Sequence, residues 1–191
     1  MLLNDSVALI DNDFLSKFLS VNDSTEEEII ELSKKVFDSL DYTIAIHPLV
    51  YSKEMIGYKG IVDKAIGESI VALIEFKDIH NDESPRKLYY SYLIKDLFKK
   101  LNRSEFPNGN MDVWEYWKSQ SNLGEIHSTV TCMVCNCGLF LSDDDDSRLL
   151  SEIIQNDFSY SIKIYNRKEI IKVAKENGVE LSRHQTRSLT R

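Results

Sequence analysis

Short apolar runs alternating with helical patterns constrain this chain more than any other feature. Val7-Ala-Leu-Ile10 is apolar throughout and bounded by polar residues, the pattern of a strand buried on both faces. Residues 42–46, 139–142 and 160–165 read as further strands. Between them lie helical segments. Residues 14–19 form a short one, and Asn22-Asp-Ser-Thr25 offers capping residues to a longer one that opens on Glu26-Glu-Glu28 and runs to about residue 40. Later helices are expected at 49–55, 60–77, 86–103, 124–138, 147–155 and 166–177, the last stopped by Gly178. Strands alternating with helices call for a parallel sheet with helices packed on its faces.

The chain's 191 residues suffice for one well-buried core, and 42% hydrophobic with 28% charged residues describes an ordinary folded protein. A single domain over 1–178 is expected, with a helical insertion at about 57–121 and a basic tail at 179–191. No apolar stretch is long enough to span a bilayer, and the N-terminus lacks the basic and apolar regions of a secretory signal, so a cytoplasmic protein with no membrane partner is expected. Three cysteines crowded at Cys132, Cys135 and Cys137 are no disulfide framework. On a helix Cys137 leaves the face shared by the other two, so core packing is favoured over zinc.

Acidic residues gather where strands end. Asp11 and Asp13 follow the first strand, Asp143 to Asp146 follow the third, and Glu125 opens a helix. Carboxylates held together at neutral pH either retain protons or recruit a cation, and an all-oxygen, carboxylate-rich site suits Mg2+ or Mn2+. In parallel sheets, sites form at the carboxyl ends of strands, and phosphoryl chemistry on paired ions needs several converging carboxylates. Glu54 is a candidate contributor from another helix. Against this stand the capping roles of aspartates before helices, which would occupy one or two of the four.

These residues resemble the PIN-domain nucleases, which include the toxin ribonucleases of bacterial toxin–antitoxin pairs. Asp11-Asn-Asp13 is similar to the family's opening motif, Tyr51-Ser-Lys-Glu54 to its middle Tyr-x-x-Glu, Gly124-Glu125-Ile-His-Ser128 to its later helix start, and Ser142 to Arg148 to its last acidic motif. The resemblance covers roughly 1–56 and 122–176 and is weak across 57–121. It implies a PIN-like three-layer α/β/α fold and a metal-binding quartet of Asp11, Glu54, Glu125 and Asp143. Asp144, Asp145 or Asp146 would assist, Asp145 being the one assigned as a ligand. It further implies Mg2+ or Mn2+ polarising a phosphate and acidifying a water that attacks phosphorus in line, without a side-chain nucleophile.

The expected function is therefore a metal-dependent ribonuclease acting on RNA. A net charge of -8 opposes generic nucleic-acid binding, but residues 161–191 are rich in Lys and Arg. Arg183, Arg187 and Arg191 recur at every fourth position and would align on a helix as a phosphate-binding stripe, unless the tail is a frayed, solvated terminus. The aromatic residues Tyr89, Tyr90, Tyr92, Trp114, Tyr116 and Trp117 suit either a core or base stacking. His127 reads as a half-buried helix residue. Competing readings are a non-catalytic PIN-like module whose insertion docks a partner protein such as an antitoxin or forms a homodimer contact, and a phosphatase acting through an aspartyl phosphate at Asp11.

Overall fold

The computed structural model describes residues 3–20, 24–79, 85–107, 111–118 and 121–190. Five parallel strands form its centre: β1 (Val7–Ile10), β2 (Thr43–Ile46), β3 (Ala72–Leu73), β4 (Leu139–Leu141) and β5 (Ile164–Tyr165), in the order β3-β2-β1-β4-β5. β1 is central, with Leu9 opposite Ala45 of β2 and Phe140 of β4.

Successive residues of a strand point to opposite faces, so each strand feeds two cores. Ala8, Ile10, Ile44, Ile46, Leu139 and Leu141 face one layer. That layer contains α1 (Asn12–Phe18), α2 (Glu26–Asp38), α4 (Lys59–Gly67), α9 (Arg167–Glu176) and α10 (Arg183–Thr190). The rings of Phe14, Phe18 and Phe37 stack there at centroid distances of 5.6 and 4.9 Å. Val7, Leu9, Ala45 and Phe140 face the other layer, built from α5 (Phe76–Ile79), α6 (Pro85–Asn102), α7 (Leu123–Cys135) and α8 (Asp145–Phe158). The three-layer α/β fold with a central parallel sheet follows directly from the two-sided burial of the apolar runs. The short α3 (Pro48–Lys53) and a 3-10 turn over Met55–Tyr58 cross the rim between β2 and α4.

Several elements depart from the sequence expectation. Residues 60–77, expected as one helix, divide into α4, β3 and α5, with Ser69 turning the chain at φ 58°. The run Ile70 to Ile74 is apolar without a period, and its place beside β2 at the sheet edge makes it a strand. Among the described residues of 57–121, Val62 and Ala65 reach one core and Tyr90, Leu93 and Leu97 the other. β5 occupies only the last two of the residues expected in that strand. Helix α7 ends at Cys135, with Asn136 in the left-handed region (φ 57°), and Gly138 lies where any side chain would collide with the Asp5 carbonyl. The tail folds as α10, anchored by fully buried Leu189. No helix among the described residues is long and apolar enough to cross a membrane.

Candidate functional site

The chain leaves β1 toward one layer through α1 and leaves β4 toward the other through α8, so the loops after these adjacent strands diverge. That divergence opens a crevice at the carboxyl ends of the strands, where ligands bind in open parallel sheets. The resulting cleft has a volume of about 590 Å3. Asp11, Asp13, Glu54, Glu125 and Asp144 line it, with Lys53, Trp117, Lys118 and Asn122 at its walls.

Asp11 is the buried anchor, 2% exposed. Its Oδ1 accepts from the Asn12 backbone N–H at 2.7 Å as it caps α1, and its Oδ2 accepts from the Ser142 hydroxyl at 3.3 Å. Ser142 can donate to Asp11 because its own oxygen accepts from Ser147 Oγ at 2.8 Å and from the Asp144 N–H at 3.1 Å. Burial, and then the charge of Glu125, push the Asp11 carboxyl up to about 8 despite the two hydrogen bonds it accepts.

Glu54 follows α3 and lays its carboxylate against the backbone of Gly124. A Cβ on Gly124 would stand 2.7 Å from Glu54 Oε1, so the absence of a side chain there is what admits the carboxylate. Burial and the neighbouring Glu125 and Asp11 raise Glu54 to about 8. Glu125, in the first turn of α7, rises to about 7, chiefly by burial and then by repulsion from Asp144, Asp13 and Asp146, with a backbone hydrogen bond opposing. Among the described residues no cation is paired with Asp11, Glu54 or Glu125.

The four consecutive aspartates take four different roles. Asp144 caps α8, accepting from the Asp146 N–H at 2.8 Å, and borders the cleft. Asp146 accepts from Asn122 Nδ2 at 2.8 Å, tying the starts of α7 and α8 together. Asp145 is exposed on the first turn of α8 and does not line the cleft. Asp143, expected among the ligands, turns away toward the start of α9: its Oδ2 receives Arg167 Nε, its Oδ1 accepts the Arg167 N–H at 2.9 Å, and Lys17 Nζ lies 3.9 Å away. Arg167 in turn donates from a terminal guanidinium nitrogen to the Leu189 carbonyl at 3.2 Å, fastening α10. Asp143 is therefore the partner of a buried guanidinium, in a separate depression lined also by Asn166, Lys168 and Thr190. Of the four aspartates the one that lines the cleft is Asp144, while Asp143 is held by Arg167.

An all-oxygen carboxylate set without a cationic partner fits a hard divalent ion in donor chemistry. Among the described residues, however, no group of three or more His, Cys, Asp or Glu side chains is placed so as to hold a metal ion.

Behind the cleft lies a polar network that the sequence did not announce. Tyr90 Oη reaches His127 Nδ1 at 2.9 Å, His47 Nε2 at 3.3 Å and Thr131 Oγ1 at 3.4 Å. His47 Nδ1 accepts from the Leu49 N–H at 3.2 Å, so its proton sits on Nε2, facing Tyr90. Both histidines are wholly buried, and burial holds His47 well below its usual range and His127 at about 3. His127 is thus a neutral core residue, more buried than its sequence position suggested. Tyr90 and Trp114 stack at 4.5 Å within this core, whereas Tyr89 and Tyr92 are exposed on α6. The three cysteines are free and buried, as packing residues. Arg183 and Arg187 lie exposed on α10 beside a groove that Lys175 and Thr186 also line; Arg191 falls outside the described residues. Ser142 and Gly124 belong to the two later motifs in the sequence, but their parts here, a hydroxyl donated to Asp11 and room left for the Glu54 carboxylate, are set by residues remote along the chain.

Comparison of the chain with protein-family models, curated proteins and solved structures found no match.

Proposed function

We propose that the protein is a metal-dependent ribonuclease of PIN-like type, hydrolysing RNA phosphodiester bonds at the acidic cleft with Mg2+ or Mn2+. The observation that carries this reading is the gathering of Asp11, Glu54 and Glu125 at the crevice after β1 and β4, each raised by burial and none paired with a cation among the described residues. Such a set is self-repulsive when ionised, and binding a divalent cation is the event that relieves it. Asp11, Glu54 and Glu125, with Asp144 in the place assigned from sequence to Asp143, are the residues that would hold the ion. When bound, such an ion supplies charge for a phosphoryl oxygen and acidifies water.

The chain's own groups prepare the site. The Ser142 hydroxyl and the Asn12 N–H fix both Asp11 oxygens, which limits the reorganisation needed on loading. Because Asp11 and Glu54 retain protons near neutrality, loading must release them, and affinity should rise with pH. Arg183 and Arg187 on α10 provide phosphate contacts for a longer strand. A net charge of -8 favours the alternative of a non-catalytic module that docks a partner protein.

The test is cleavage of an end-labelled, unstructured oligoribonucleotide in Mg2+ or Mn2+, together with calorimetric titration of each ion. Cleavage and ion binding that fall at least about a hundred-fold in Asp11→Asn and Glu125→Gln are expected. An intact oligomer and no ion uptake by the native protein would reject the nuclease in favour of the non-catalytic module.

A further inference from the structure

One aromatic side chain, Trp117, lines the cleft together with the carboxylates. Trp117 comes from the segment between α6 and α7 and is partly exposed along the cleft. Its ring centroid lies 6.4 Å from that of the buried His127, with the planes 25° from parallel. Lys53 and Lys118, both exposed, line the same cleft. The other residues of this aromatic group are committed elsewhere: Tyr90 to its hydrogen bonds, Trp114 to stacking on Tyr90 and His47. A cleft of about 590 Å3 falls in the size range of small-molecule sites.

We propose that Trp117 is a nucleobase platform: one unpaired nucleotide stacks on the indole while Lys53 and Lys118 take the phosphates on either side of it. This rests on the ribonuclease reading and adds a substrate requirement to it. The chain carries a net charge of -8 and this cleft offers two lysines, so charge alone supplies only part of the affinity here. Stacking supplies the rest, because every base has a π-face and an indole offers a large complementary one. A base already paired and stacked in a duplex cannot present that face. The platform therefore selects single strands, with little preference among the bases.

The experiment measures binding of a short unpaired oligoribonucleotide to the full chain carrying Asp11→Asn to suppress turnover, by fluorescence anisotropy. An abasic residue is walked along the oligomer one position at a time. At one position the abasic substitution should weaken binding roughly ten- to a hundred-fold, and Trp117→Ala should weaken binding of the intact oligomer by a similar factor. The two losses should not add when combined, the signature of a direct contact. Trp117→Phe, which keeps a ring, should retain most of the affinity and controls for folding. The same strand annealed to its complement should bind more weakly. Equal affinity for the intact oligomer and every abasic version, or additive losses, would overturn the platform. Failure of the native protein to cut the oligomer in Mg2+ or Mn2+ strikes the ribonuclease reading alone, while the abasic walk still decides the platform.

Discussion

The buried carboxylates make the stability of the ion-free protein fall as pH rises through neutrality, against the usual behaviour of acidic groups. In the unfolded chain Asp11 loses its proton near 3.8, whereas in the native protein it keeps it to about 8. Between those values the folded state binds more protons than the unfolded one, so raising the pH favours unfolding. For Asp11 alone the difference reaches on the order of 4 kcal/mol by pH 7, a large part of a typical folding free energy. Glu54 at about 8 and Glu125 at about 7 act in the same direction. The three repel one another and share protons, so their effects do not sum. With about one to two extra protons held natively at pH 7, stability should drop by roughly 1.4–2.7 kcal/mol per pH unit. His47 and His127 have the opposite sign, since their native values are depressed, but they contribute only below about 6.5, where the unfolded histidine protonates. The clean window is therefore pH 7 to 8. Urea unfolding followed by circular dichroism in EDTA reads the slope. Asp11→Asn should reduce it and stabilise the ion-free protein, and millimolar Mg2+ should add stability that grows with pH as bound protons are displaced. A stability that is flat or rising across this window in EDTA, in the native protein, would refute the account of these carboxylates as buried and mutually repelling.

Asp143→Asn should cost about 3 kcal/mol by leaving the Arg167 guanidinium buried without its carboxylate, yet leave the Mg2+-induced shift in Tm unchanged. Loss of that shift on thermal denaturation would return Asp143 to the metal site. Gly124→Ala separates stability from the site in another way. The added methyl improves helix propensity by about 1 kcal/mol, but it displaces the Glu54 carboxylate and should weaken calorimetric Mg2+ or Mn2+ binding. On α10, Leu189→Ala should destabilise by about 2–3 kcal/mol in urea. Arg183→Ala with Arg187→Ala should leave stability within about 0.5 kcal/mol and flatten the salt dependence of RNA binding by roughly 1.4 in log–log slope.

What sequence alone determines here is whatever depends on neighbours along the chain. The strands β1 and β4 are legible because a run buried on both faces must be apolar at every position, and β2 because it is a β-branched run ahead of the break at His47-Pro48. The start of α2 is legible because capping residues precede three glutamates, and the structure singles out Thr25, which exchanges hydrogen bonds with Glu28 across one turn. Asp11 and Glu125 can be singled out because each adjoins an element whose end is visible in the pattern. The tertiary structure decides what depends on residues far apart. β3 is a strand only because β2 lies beside it; its apolar run has no period to distinguish strand from helix. Glu54 enters the cleft because Gly124, remote in sequence, leaves room for it. Of four adjacent aspartates, Asp144 lines the cleft, while Asp143 is captured by Arg167, which arrives from the start of α9. Four identical side chains carry no local information about which will be captured, because that choice is made by a charge brought in through space and not along the chain.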